Sequence, residues 1–245
     1  MNLTLSDIKR YNRQILMPEW GNAGQIKLKL AKVVIVGIGG LGCPASLYLT
    51  AAGIGNLVLI DGEKFELSNL NRQVLGWQKD IGQFKVKAAK EKLEALNPNI
   101  NVTALVTKIT KENCCELING SNVVVDALDN WKTRFILNEA CIKKKIPLIH
   151  AGIYGLIGQV TTIIPGKGPC LRCIIPRTPP ALKKFPVVGA TPGLFAMLQV
   201  METIKIIVGI GEPLMGKLLF FNGDDISFNI IHVQRNPNCK VCKNL

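Results

Sequence analysis

Residues 31 to 42 read AKVVIVGIGGLG, a continuous apolar run from Val33 to Val36 that passes directly into the glycine cluster Gly37-Ile38-Gly39-Gly40-Leu41-Gly42. The run predicts a buried strand, and the cluster predicts a tight turn. CPASLYLTAAG (43–53) follows as a helix and NLVLID (56–61) as a second strand, which makes a βαβ unit. No charge occurs from Val33 to Ile60. Pro44 and the glycines at 37, 39, 40, 42, 53 and 55 nevertheless break that stretch into strand, loop, helix and strand, so it is not a membrane span.

The same alternation continues outward. Residues 62 to 84 form a polar loop, and Lys85 to Leu96 an amphipathic helix stopped by Asn97-Pro98. NINVTALV (99–106) is a third strand, and NVVVDALD (122–129) a fourth that ends in two acids. Lys132 to Lys144 is again helical, and IPLIHAG (146–152) is a fifth strand. A Rossmann-like, doubly wound, mostly parallel α/β sheet is the expected fold. Beyond residue 152 the pattern changes to antiparallel strands at 154–166 and 217–233, the second a hairpin across Asn222-Gly223-Asp224. One apolar helix, Pro192 to Gly209, lies between them. We expect one domain over 1–245: a helical N-terminal arm (1–30), a nucleotide-binding half (31–152) and an antiparallel extension (153–245) with a flexible crossover loop at 174–189.

Composition narrows the function. The 245 residues are 48% hydrophobic and 19% charged, with mean hydropathy +0.25, which excludes disorder and a coiled coil. The N-terminus turns polar at once, so no signal peptide is read and a cytoplasmic protein is expected. Thirty basic against 17 acidic residues give a net charge of +13, suited to an anionic partner such as a nucleotide, a nucleic acid or an acidic protein. No dense basic run with interleaved aromatics favours nucleic acid, and many of the lysines are ordinary solvated surface.

Five groups of residues carry chemistry. Gly37, Gly39, Gly40 and Gly42 open a helix, where glycines admit a phosphate to the backbone N–H groups and the helix dipole. Asp61 ends the next strand, where a carboxylate can bond a ribose hydroxyl. A dinucleotide would fit these alone, and so would a turn that needs glycine only for packing. Ser68-Asn69-Leu70-Asn71-Arg72-Gln73 and Lys85 add two cations, which favour a triphosphate. Asp126 and Asp129 can hold Mg²⁺. Finally, Cys170-x-x-Cys173 and Cys239-x-x-Cys242, separated by 65 residues, can close a structural Cys₄ zinc site that ties the last residues to the loop after the sixth strand. The other four of the eight cysteines suit core or helix surfaces, and His150 and His232 are expected as satisfied core histidines.

Together with Arg10-Tyr11-Asn12-Arg13-Gln14, Gly82 to Lys85 and Asp126 to Asn130, these motifs resemble the HesA/MoeB/ThiF family, adenylyltransferases for ubiquitin-like sulfur carriers, over roughly residues 6 to 242. The resemblance implies that Gly40, Asp61, Asn69, Arg72, Lys85, Asp129 and Asn130 contact ATP and its Mg²⁺. It implies that Arg13 reaches the phosphates of the neighbouring subunit in a homodimer, and that the four cysteines hold zinc. The reaction implied is attack of a carrier's C-terminal Gly-Gly carboxylate on the α-phosphate of ATP, with charge stabilised by Arg13, Arg72 and Lys85 and the metal held by Asp129.

Some members carry a cysteine in the crossover loop. Ile174 to Val188 has none, Leu182 or a neighbour standing in its place. No sulfurtransferase domain is expected after Cys242. Adenylation without a covalent enzyme intermediate is therefore expected, with sulfur supplied in trans by a sulfurtransferase or cysteine desulfurase. The competing expectations are a nicotinamide or flavin oxidoreductase, a non-catalytic carrier-binding partner, and a family member that activates another carboxylate, such as a tRNA-modification dehydratase or a peptide-adenylating enzyme.

Overall fold

The structure, a computed structural model, describes residues 2–180 and 185–244. Leu182 lies outside the described residues. Helices α1 (Leu5–Arg10), α2 (Asn12–Ile15) and α3 (Gly21–Leu30) precede the first βαβ unit of β1 (Lys32–Val36), α4 (Gly42–Ala52) and β2 (Asn56–Ile60). Then come α5 (Lys85–Leu96), β3 (Asn101–Leu105), α6 (Cys114–Leu117), β4 (Val123–Asp126), α7 (Trp131–Lys144) and β5 (Leu148–Tyr154). The remainder is β6 (Ile157–Ile163), α8 (Leu171–Ile174), α9 (Ala190–Val208), β7 (Lys217–Asn222) and β8 (Ser227–His232).

All eight strands form one sheet in the order β3-β2-β1-β4-β5-β6-β7-β8. The first five are parallel and the last three antiparallel, so the α/β half and its extension share a single hydrogen-bonded platform. The apolar run of β1 is explained by burial on both faces. Val33 and Ile35 pack on one side with Leu28, Leu49, Leu57 and Phe195, while Val34 and Val36 pack on the other with Val58, Phe135 and Leu148. Helix α9 is long and apolar enough to cross a membrane by length and composition alone. Here it lies on the sheet, burying Phe195, Ala196, Gln199, Val200 and Thr203.

The N-terminal arm is helical, as α1, α2 and α3, and Gln25 of α3 donates to the Ala52 carbonyl at 3.0 Å. Two local expectations are corrected. The hairpin turn between β7 and β8 occupies residues 223–226, with Ile226 at φ +57°. His232 is not a core residue: β8 is the outermost strand, nothing among the described residues covers it, and its side chains from Phe228 onward are exposed.

Candidate active site at the strand switch point

Successive strands run outward from β1 through β2 to β3, and the chain then returns to place β4 on the other side of β1. The crevice beyond the carboxyl ends of β1 and β4 is where such sheets bind ligands, because the loops diverge there. The glycine loop leaves β1 at this point, and Ala127 to Asn130 leaves β4 beside it.

The four glycines do different work. Gly37 lies at φ +94°, and a side chain there would meet the Ala127 carbonyl oxygen at 2.6 Å. A Cβ on Gly42 would fall 1.9 Å from the Gly37 carbonyl oxygen. These two are required by the turn itself. A Cβ on Gly39 would meet only the Gln73 amide nitrogen, 3.8 Å away, so Gly39 faces open space. Gly40 abuts Pro192, at 3.2 Å from a built Cβ, and the Arg72 side chain, at 3.5 Å.

Asp61 fixes the loop. Its Oδ2 accepts from the Ile38 N–H at 2.8 Å, and its Oδ1 accepts from Glu63 N–H at 2.7 Å. Burial raises its pKa, against the lowering effect of those two bonds. Arg72 donates through Nη1 to the Ser68 carbonyl and to Asn71 Oδ1, both at 2.9 Å. Asn69 is buried, its Oδ1 accepting from Glu66 N–H at 3.1 Å, so it shapes the turn that carries Arg72. The Ser68 side chain is exposed.

Lys85 begins α5, yet its side chain is only 5% exposed and its Nζ lies 2.7 Å from Oε2 of Glu63. A cation at the positive end of a helix is disfavoured by about 0.5 kcal/mol, and burial adds to this. It therefore needs an anion, and Lys85 in turn holds the Glu63 carboxyl below its ordinary pKa. With 60% of its side chain exposed, Glu63 can yield that place to a phosphate.

Asp129 is exposed at the mouth of the crevice, with Oδ1 accepting from Asn130 Nδ2 at 3.3 Å. Asn130 also caps α7, its Oδ1 accepting from Thr133 N–H at 3.0 Å. A free carboxylate there suits a hard cation. Asp126 does not: it is fully buried, with Oδ1 accepting from Leu128 N–H at 3.1 Å and Oδ2 2.6 Å from His150 Nδ1. The expectation that Asp126 takes part in holding Mg²⁺ is corrected: it is enclosed and committed to protein partners, while Asp129 is open to solvent. His150 is buried as expected but half satisfied, since its Nε2 has no partner. Burial lowers its pKa, so the ring is neutral near pH 7 and donates from Nδ1.

Arg13 is exposed on α2 and does not reach this chain's own glycine loop. Its neighbours dock at the far end of α4: Tyr11 packs on Gly53 and accepts from Asn97 at 2.8 Å, and Gln14 donates to the Ala52 carbonyl at 3.1 Å. The 11 residues of α4 put that end about 16 Å from the loop.

Sequence reasoning gave no role to Gln73. It is 4% exposed, its Nε2 lies 3.8 Å from where a Cβ on Gly39 would be, and its Oε1 has no partner. A buried amide with an orphaned oxygen beside an open glycine awaits a ligand or water. The signal was its place in the Ser68 to Gln73 motif.

The four cysteines do converge. Cys170, Cys173, Cys239 and Cys242 Sγ atoms lie within 4.8 Å of one another, with contacts of 3.9, 3.7 and 3.5 Å. Tetrahedral zinc with Zn–S near 2.3 Å requires S···S edges of about 3.8 Å, so the donor set and its size could hold zinc.

The contrast among the glycines gives a testable pair. Gly42→Ala should lower unfolding stability by about 3 kcal/mol in chemical denaturation, because a backbone oxygen must move. Gly39→Ala should keep the melting temperature and weaken ATP binding about tenfold or more by calorimetry, since its Cβ enters only the open crevice.

Comparison with known proteins agrees with the geometry. Residues 11–241 match the model of the ThiF family. The chain is 41% identical to the SAMP-activating enzyme E1 of Haloferax volcanii, across 99% of this chain and 91% of that one. It is 40% identical to the sulfur carrier protein adenylyltransferase of Thermus thermophilus, across 99% and 93%. Against the adenylyltransferase and sulfurtransferase MOCS3 of Drosophila yakuba identity is 42%, but the chain spans about half (54%) of that protein. Among solved structures, E. coli MccB with ATP superposes with a TM-score of 0.84 at 30% identity, covering 96% of this chain and 75% of that one. An alternating sheet with a glycine loop, two cations and a carboxylate at its switch point thus belongs, in this chain, to an adenylyltransferase of the ThiF family.

Proposed function

We propose that this enzyme adenylates the C-terminal carboxylate of a ubiquitin-like sulfur carrier ending in Gly-Gly, of the molybdopterin, thiamine or tRNA-thiolation type. The observation that carries the proposal is the convergence of Lys85, Arg72 and Asp129 on the crevice opened by Gly39. Two relatives at 40–41% identity, each covered over at least nine-tenths of its length, are named for sulfur carrier or SAMP activation. The MccB structures, one of them with ATP, stand at a lower 28–30% identity.

In this reaction a carboxylate oxygen attacks the α-phosphorus of ATP, the bond from that phosphorus to the bridging oxygen breaks, and pyrophosphate leaves with the bond's electrons. No protein nucleophile or base is needed, so catalysis is positioning and charge neutralisation. The loop N–H groups and the α4 dipole receive phosphate oxygens. Asp61 retains lone pairs for the ribose hydroxyls. Arg72 and Lys85 neutralise the departing pyrophosphate, Lys85 exchanging Glu63 for it. Asp129 would hold Mg²⁺, which shields the phosphate charge when bound. The four cysteines would hold a structural zinc with no open ligand position.

Arg13 acts in trans in a homodimer, because its own loop is out of reach. The segment from Ile174 to Val188 offers no cysteine to take over the carrier. Sulfur therefore arrives from a separate sulfurtransferase or cysteine desulfurase, in the cytoplasm, where cysteines remain reduced. The net charge of +13 steers acidic carriers to the enzyme.

ATP–pyrophosphate exchange with a panel of Gly-Gly carriers tests the proposal. Exchange should appear only with a cognate carrier; ATP binding without exchange for any carrier would point to another carboxylate. Arg13→Ala should reduce exchange about a hundredfold or more with the dimer intact by light scattering, and mixing it with an inactive Lys85→Ala protein should restore part of the rate. Metal analysis should find about one zinc per chain, and its removal by chelation should lower the melting temperature by several degrees. Freshly purified protein free of zinc would exclude that role.

A further inference from the structure

Asp129 is exposed, yet both of its neighbours are pinned by buried groups. Before it, Leu128 gives its N–H to Asp126 Oδ1 at 3.1 Å, and its carbonyl accepts from the Arg134 guanidinium, from Nε at 3.2 Å and also from Nη2. After it, the Asn130 carbonyl accepts from the Arg134 backbone N–H at 3.2 Å, while the Asn130 side chain caps α7. Arg134 thus holds the loop on both sides of Asp129, by its side chain and by its main chain.

The clamp is built inside the protein. Arg134 is 5% exposed, its guanidinium lying 3.9 Å from Asp126 Oδ1 and 5.1 Å from the centre of the Trp131 ring. Gly152 leaves room for it: a Cβ there would come within 2.9 Å of Nη1. Asp126 is braced from both faces of the sheet. His150 bonds its carboxyl from β5 at 2.6 Å, and Gln199 of α9 donates to its carbonyl at 2.8 Å and to that of Ile149 at 3.0 Å. Burying a guanidinium is expensive, and apolar residues of similar volume commonly stabilise a core as well or better. The arrangement gains its sense from the one exposed carboxylate that it immobilises.

We propose that Arg134 is a positioning residue for metal-dependent ATP binding, holding Asp129 in place through the Leu128 carbonyl so that its carboxylate meets Mg²⁺ already bound to ATP. This rests on the adenylation function proposed above. Lysine keeps the charge but cannot reproduce the two-pronged donation to one carbonyl. Asp129 in Arg134→Lys should therefore wander, and the metal's contribution to binding should fall while contacts made by the glycine loop, Arg72 and Lys85 persist.

The test is calorimetric titration of the full-length protein with ATP, with and without added Mg²⁺, each variant being judged by the ratio of the two affinities. The wild type should bind about tenfold tighter with Mg²⁺, and Asp129→Asn should bring the ratio near one. Arg134→Lys should cut the ratio to about threefold or less, with Mg²⁺-free affinity within about twofold of the wild type. If Arg134→Lys does not fold, Gly152→Ala, which displaces Nη1 from the β5 side, should give the same loss. A folded variant that melts earlier but keeps the full ratio would overturn the inference, as would an Asp129→Asn protein that keeps it. A wild-type protein that binds no ATP under either condition would instead overturn the adenylation function itself, and this inference with it.

Discussion

The site depends on the approach of Gly42 to the Gly37 carbonyl, where a single added carbon would lie 1.9 Å from the oxygen. It folds residues 37–41 into a tight turn between β1 and α4, so the helix start points its free N–H groups into the crevice. Everything that could bind a nucleotide is arranged around that turn. Asp61 bonds it from β2, Ala127 of the β4 loop presses against it, and Arg72 and Pro192 flank Gly40. A looser turn would leave each of these groups on an intact element but aimed elsewhere.

Charge within the site is arranged so that the resting state is satisfied but replaceable. Lys85 sits buried at a helix N-terminus, where a cation is unfavourable, and is compensated by a largely exposed glutamate. A phosphate can take the place of Glu63 without leaving any group uncompensated. Arg72 likewise rests on a carbonyl and an amide oxygen, neutral acceptors that hold a guanidinium less strongly than a phosphate does. Asp126 and Arg134 are placed differently, being fully enclosed and bonded to backbone, so they serve geometry rather than ligand exchange.

The cysteine cluster lies away from the crevice and on the opposite run of the chain. Its first hook, at α8, is tied to α7 by the Leu171 N–H to Asn138 Oδ1 bond of 2.9 Å, and its second arrives after the edge strand β8. Helix α7 therefore touches the first cysteine hook near its middle and the Asp129 loop at its start. That edge strand has few buried side chains of its own, and a metal held by the four cysteines would cross-link that end of the sheet.

Much of this was legible in the sequence. The uninterrupted apolar runs of β1, β2 and β4 could only be strands covered on both faces, the glycine cluster could only be a turn into a helix, and the spacing of the four cysteines was that of two hooks on one ion. Local chemistry determines each of these, because each depends on neighbours within a few residues. The sequence could not tell which of two acids ending β4 is free. Asp126 and Asp129 look alike until packing encloses the first with His150 and Arg134 and leaves the second in solvent. Nor could it separate the two glycines required by the turn from Gly39, which faces the crevice, see that His232 falls on an uncovered edge, or show Gln73 beside Gly39. Those distinctions depend on which elements of distant sequence meet, and only the tertiary structure, by choosing the neighbours, decided them.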